Sequence, residues 1–285
     1  MNLLLTGATG QIGSFLLQRL HDVNINTFAV SRQSQRARFE EKWIICDLLH
    51  DDPFVQSGHI DTWIHAGLLT LTLPWLESAA HAGVKRLVSF STTSVFTKIN
   101  SPNDAERKLI GRIRKAEDAI AEHCQQLGIH WTIFRPTLIY GKGTDQNISF
   151  IVSMIQRFGF FPVVGNGSAL RQPVHADDLA CAALDVLNRE NTFNHAYNLS
   201  GGETLTYRDM VERIFDAMHK SPRIIRIHPM IYKCAITIIS KTLPRYAFVK
   251  PSMVDRMSMD MVFDHADASH DFAYHPKPFQ PQPYV

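Results

Sequence analysis

The segment Thr6-Gly7-Ala8-Thr9-Gly10-Gln11-Ile12-Gly13 sets three glycines three residues apart, directly after an apolar run. In a strand–turn–helix the first glycine makes a tight turn and the second lets the backbone approach a pyrophosphate. The third lets the helix pack close to its strand. The helix that follows offers free N–H groups and a positive dipole end to the phosphates. Gly7, Thr9, Gly10, Gln11, Ile12 and Gly13 are therefore the candidate cradle of a dinucleotide. An acid at the end of the second strand would select NAD by accepting from the ribose 2′-OH. Ser31-Arg32 stands there instead, and a guanidinium suits a 2′-phosphate. NADP is expected over NAD, unless Arg32 is only a solvated loop residue. Asp47, with Leu48 beside it after the third strand, either accepts from the adenine amino group or is an ordinary loop acid.

Strands and helices must hold these groups in place. Short β-branched or aromatic runs at 2–6, 27–30, 43–46, 62–65, 86–90 and 131–134 read as buried parallel strands. They alternate with amphipathic stretches at 11–21 and 104–127; in the second, Ile110, Ile113, Ile120, Cys124 and Leu127 recur at helical spacing. This alternation predicts an α/β fold, a doubly wound parallel sheet of Rossmann type, with a small C-terminal substrate lobe. Residues 1–140 are read as the NAD(P)-binding core. Residues 141–285 supply the remaining sheet elements and the lobe, intertwined with that core. In the second half prolines are frequent; helices are expected at 148–158, 178–188 and 207–219, an apolar loop at 159–165, lobe packing at 230–243 and an extended proline-rich tail from 274.

The chain has 285 residues, 45% of them hydrophobic and 20% charged, which suffices for a large core and excludes a disordered chain. Lys plus Arg total 29 against 27 acids, a net charge of +2 that gives no reason to expect nucleic acid or an anionic membrane as partner. The start lacks the basic and apolar regions of a signal peptide, and no apolar run reaches the roughly 20 residues of a spanning helix. Cys46, Cys124, Cys181 and Cys234 are far apart, without a CxxC pair. A cytoplasmic protein is expected. His265, His270 and His275 are spaced by five, cannot share a helical face, and are assigned to loops; no metal is expected.

Beyond the glycine loop, further segments occur in order: Cys46-Asp47-Leu48, Ser89-Phe90-Ser91-Thr92-Thr93-Ser94-Val95-Phe96, Arg135-Pro136-Thr137-Leu138-Ile139-Tyr140-Gly141, Arg171-Gln172-Pro173-Val174-His175-Ala176-Asp177-Asp178, and Phe272-Ala273-Tyr274-His275-Pro276. With them the chain resembles the extended short-chain dehydrogenase/reductases, the NAD-dependent epimerase/dehydratase family. The resemblance implies NAD(P) and a small-molecule substrate, often a nucleotide sugar. It puts Thr92 where the catalytic hydroxyl lies, or else Thr92 is a strand-end hydroxyl satisfying backbone. It puts Arg171 at a substrate phosphate and Tyr140 in the wall of the substrate pocket, as a reserve acid. His175 is read as a packed structural histidine. Homodimers occur in the family, and the oligomeric state is left open. The family's Tyr-x-x-x-Lys pair is missing: Leu109 and Ile113 occupy its positions, and no tyrosine occurs between Ile64 and Ile139. Glu106 or Lys108 on the same helix are the stand-ins within reach. The expected function is an NADP-dependent epimerase or reductase of a nucleotide sugar or similar metabolite. The alternative is a non-catalytic NADPH-binding sensor or partner-binding module on the same fold.

Overall fold

The computed structural model describes residues 1–145, 147–232, 234, 254 and 257–282. β1 (Asn2–Thr6) turns through the glycine loop into α1 (Gln11–Asp22), followed by β2 (Asn26–Ser31) and β3 (Lys42–Ile45). Then come β4 (Thr62–His65), α2 (Leu76–His81), β5 (Arg86–Phe90), α3 (Ser94–Thr97), α4 (Asp104–Leu127) and β6 (His130–Pro136). The second half contributes β7 (Ile139–Tyr140), α5 (Ile148–Phe158), β8 (Phe161–Val164), β9 (Leu170–Arg171), β10 (Val174–His175) and α6 (Ala176–Asp185). It ends with β11 (His195–Leu199), β12 (Leu205–Thr206), α7 (Tyr207–Ala217), β13 (Ile224–Ile227) and α8 (Ala266–Phe272).

The main sheet runs β3-β2-β1-β4-β5-β6-β11 with every neighbouring pair parallel. From β1 the chain steps outward to β2 and β3, then returns to β4 on the other side of β1. That reversal opens a crevice at the carboxyl end of β1, where the glycine loop sits. β11, from the second half of the chain, forms one edge of the sheet.

Alternation along the strands sends side chains to two cores. Leu3, Leu5, Ile64, Val88 and Phe134 pack under α1 and α6, and the alanines of α6 let the two helices approach closely. Leu4, Val30, Trp63, Leu87 and Ile133 pack under α2 and α4. Each fully buried Leu or Ile of this kind contributes roughly 1.5–3 kcal/mol. α4 is bounded by Asn103, whose side chain accepts from the Glu106 N–H, and by Gly128 at φ +66°. A third core joins Ile148, Ile151 and Ile155 of α5 to Met210, Val211 and Ile214 of α7, with Phe161 between β8 and the helices.

Three local expectations are corrected. Residues 159–165 are not a loop: Phe161–Val164 is a strand paired in parallel with Ile224–Ile227, and Phe161 and Val163 point into the lobe core. The helix expected at 178–188 begins at Ala176, because His175 Nδ1 accepts the Asp177 N–H as its cap, and ends at Asp185. His270 lies in α8 rather than in a loop. Residues 274–282 follow without helix or strand. Most of the 230–243 stretch lies outside the described residues.

Candidate functional site

The glycine loop is closed against the segment after β4. Gly7 has φ +75°, and a Cβ on it would stand 2.7 Å from the Ala66 carbonyl carbon and the Gly67 nitrogen. A Cβ on Gly13 would stand 2.2 Å from the Gly7 oxygen, and one on Gly10 3.0 Å from the same atom. The segment beneath is fixed by His65, which is fully buried. Trp63 Nε1 donates to Thr6 Oγ1 (2.9 Å), and Thr6 Oγ1 lies 2.7 Å from His65 Nδ1. His65 Nε2 lies 3.0 Å from the Leu68 carbonyl. A carbonyl only accepts, so Nε2 carries the proton and Nδ1 accepts from Thr6. Burial pushes the ring's pKa down to about 4, which keeps this neutral relay intact at neutral pH.

At the start of α1, the Gln11 side-chain nitrogen is buried with no hydrogen-bond partner, and Gln11 lines a cavity between the loop and the second half of the chain. An orphaned donor beside three glycines that leave no room for a Cβ fits the phosphates and ribose of a dinucleotide. Ile12 and Gly13 are buried in the core under the sheet. Next to the loop an open groove is lined by Thr9, Ser31, Arg32, Gln33, Gln35 and Lys142. Arg32 is exposed there. Lys142 was not foreseen; it reaches over from the loop after β7, its Nζ donating to the Thr9 carbonyl at 2.8 Å. Its only sequence signal is its place directly after the Tyr140-Gly141 pair. Asp47 and Leu48 line neither cavity nor groove. The Asp47 carboxylate accepts the Leu49 N–H, and the Leu48 carbonyl accepts from Trp75.

The cavity, about 500 Å³, lies at the carboxyl edge of the sheet, and Gln11, Thr92, Lys98, Thr137, Asp145 and Arg171 are among its walls. Thr92 follows β5, and its Oγ1 accepts the Ser94 N–H at 3.1 Å. Below it, Glu117 of α4 takes a bidentate ion pair from Arg135 (2.6 Å at its shortest) and a hydrogen bond from Ser91. This buried knot ties β5, α4 and β6 together where Thr92 emerges. Arg171 is buried, donates to the Leu170 and Met259 carbonyls, and stacks on the Tyr207 ring at 5.3 Å. Burial lowers its pKa, yet a guanidinium stays charged.

Among the described residues the missing pair has no tyrosine substitute in the cavity wall that would be ionised. Leu109 and Ile113 are not in the cavity wall. Lys108 pairs with Asp104 on the exposed face of α4, and Glu106 accepts from Ser101. Tyr207 and Tyr232 do line the cavity, but burial raises both, Tyr232 to about 12, so both remain protonated. Tyr140 is corrected: it is 2% exposed, packed edge-on to His175 and Phe279, with its oxygen accepting the Gln280 N–H. It belongs to the lobe core and is absent from the cavity wall. Lys98, which does line the cavity, carried no spacing signal. Among the described residues no group of three or more His, Cys, Asp or Glu could hold a metal. No helix among them is long and apolar enough to cross a membrane.

The profile of the "NAD dependent epimerase/dehydratase family" matches residues 3–72 and 67–200. The "Low-salt glycan biosynthesis protein Agl12" of Haloferax volcanii is 25% identical over 261 residues, covering 76% of this chain and 83% of that protein. An Arabidopsis thaliana protein named "NADH dehydrogenase (ubiquinone) 1 alpha subcomplex subunit 9, mitochondrial" is 25% identical over 154 residues, 53% of this chain. The match spans 35% of that protein's length. Among solved structures, the UDP-glucuronic acid 4-epimerase of Bacillus cereus in complex with UDP-glucuronic acid and NAD superposes with a TM-score of 0.73. It is 18% identical, with 98% of this chain and 95% of that chain covered.

Proposed function

The chain belongs to the NAD dependent epimerase/dehydratase family, and from that premise we propose an NADP-dependent epimerase or reductase acting on a nucleotide sugar or similar small metabolite. The observation that carries this reading is one cavity shared by Gln11 of the glycine loop, the Thr92 hydroxyl and the buried Arg171 guanidinium. When bound, the nicotinamide exchanges a hydride with a carbon bearing an alcohol or ketone. Arg171, already oriented by the Leu170 and Met259 carbonyls, grips a substrate phosphate by charge-assisted bonds. The Thr92 oxygen accepts from Ser94 and keeps its own proton to donate to the reacting oxygen. Lys98, an amine in the same wall, takes or returns the proton that a tyrosinate would otherwise handle. The nucleotide-sugar ligand of the Bacillus cereus structure and the glycan biosynthesis name of the Haloferax relative support this substrate class. Arg32 in the groove beside the loop supports NADP. We place the protein in the cytoplasm, with its cysteines reduced.

A second reading is a non-catalytic NADPH-binding module that steadies a partner. It is favoured by Leu109 and Ile113 at the pair's positions, and by the relative named as a subunit of a larger complex. Thr92→Val separates the two. With UDP-glucose and UDP-glucuronic acid as probes and NADP as cofactor, the enzyme reading predicts that turnover falls at least about a hundredfold in the variant while NADPH affinity stays within about twofold. Undiminished turnover in Thr92→Val contradicts the role of Thr92. Binding of NADPH without turnover of any nucleotide sugar by the wild type favours the module.

A further inference from the structure

We infer that Lys142 is the second cation of a 2′-phosphate site and that it fastens the wall of the substrate cavity to the cofactor. The inference rests on the NADP reading above and goes beyond it. Six residues line the groove beside the glycine loop: two cations (Arg32 and Lys142), two hydroxyls (Thr9 and Ser31) and two amides (Gln33 and Gln35). None is acidic. A free ribose 2′-OH calls for an acceptor, whereas a phosphate monoester is all acceptor and negative charge, which is what this set of donors complements. Partial burial and, after it, the positive charge of Arg38 lower the pKa of Lys142, so an anion beside it is favoured.

Lys142 comes from the loop between β7 and α5, and its Nζ lies 2.8 Å from the Thr9 carbonyl, 133 residues away in sequence. The backbone turns on either side of it, at Gly141 and Gly143, with φ +129° and +74°. Two and three residues beyond Lys142, Thr144 and Asp145 line the substrate cavity. The Asp145 carboxylate also accepts the Asn147 and Ser149 N–H groups at the start of α5. A phosphate that holds Lys142 therefore holds the rim of the substrate cavity. Because NADH lacks that phosphate, NADPH alone should protect residues 143–145 and 147–150 from exchange. Linkage then makes each of NADPH and substrate strengthen the binding of the other.

The test is fluorescence titration of the full chain with NADPH and NADH, for wild type, Lys142→Met and Lys142→Arg, with adenosine 2′,5′-bisphosphate and AMP as probes without a nicotinamide. Lys142→Met should lose at least about tenfold in affinity for NADPH and for the bisphosphate, a factor near 1.4 kcal/mol, and less than about twofold for NADH and AMP. Lys142→Arg should keep most of the affinity. Hydrogen exchange of residues 143–145 and 147–150 should slow with NADPH in the wild type, but not with NADH and not in Lys142→Met. Equal losses for both nucleotides would put Lys142 on the shared diphosphate and overturn the inference. So would an unchanged NADPH affinity, or equal protection by NADH. A wild type that prefers NADPH through Arg32 alone, with Lys142→Met unaltered, overturns this inference and spares the cofactor reading. A wild type without any NADPH preference overturns both.

Discussion

Arg171 and His65 show two ways in which burial prepares a side chain. Arg171 gives one nitrogen to the Leu170 and Met259 carbonyls and rests on Tyr207, so its guanidinium is held in place before a ligand arrives. Arg171→Ala should weaken binding of UDP by about 1.5–3 kcal/mol, roughly ten- to hundredfold in Kd measured by calorimetry. An unchanged Kd would remove Arg171 from the phosphate. His65 is held neutral between Thr6 and the Leu68 carbonyl. Its folded pKa of about 4 lies below the ordinary 6.5, so between those values the unfolded chain binds more protons. The stability it supports is therefore complete above pH 6.5 and falls as pH drops towards 4, by at most about 3 kcal/mol. An NMR titration should find the His65 ring neutral down to about pH 4; titration near 6.5 would contradict the relay. That Thr92 and Arg171 lie near one cavity was legible because both stand in ordered motifs. Lys98 and Lys142 were not, since a lysine in a loop has no spacing that reveals which cavity it reaches. Tyr140 also stands in an ordered motif and still misled, since only the packing of Phe279 and His175 reveals a core residue.

At the scale of elements, the strand–loop–helix of β1 and α1 depends on glycine for space, whereas Gly111 in α4 does not. A Cβ on Gly13 would strike the Gly7 oxygen and the Ala8 backbone, while one on Gly111 meets nothing within 4 Å. Gly13→Ala should cost about 1–3 kcal/mol or more and abolish nucleotide binding. Gly111→Ala should stabilise by about 0.5–1 kcal/mol through helix propensity alone. Thermal unfolding of the two variants checks this contrast; equal and small effects would mean that the loop is less tightly packed than described. Six of the seven main-sheet strands were readable because each is a short apolar run bounded by turns; β11 was not placed. β8 was not, because its proline and the glycines that flank it resemble a loop and its partner, Ile224–Ile227, lies some 60 residues further on. The length of α4 was readable from its apolar period. That its charged face turns away from the cavity required the Lys108–Asp104 pair to be seen.

At the scale of the molecule, the two halves of the chain interlock rather than abut. β11 forms one edge of the main sheet, α6 packs on α1, and Asp177 of α6 joins Arg19 of α1 (2.7 Å) to Lys277 of the tail (3.1 Å). The crevice at the reversal between β1 and β4 thereby acquires walls from both halves: the glycine loop and Arg32 from the first, Lys142 and Arg171 from the second. The central claim is that this crevice is a working NADP site. Its most direct test is fluorescence titration of the purified protein with NADPH and with NADH, repeated on Arg32→Ala. The account predicts NADPH binding at least about tenfold tighter than NADH, a preference near 1.4 kcal/mol, with most of it lost in the variant. Equal affinity for the two nucleotides, or a preference indifferent to Arg32, would contradict it.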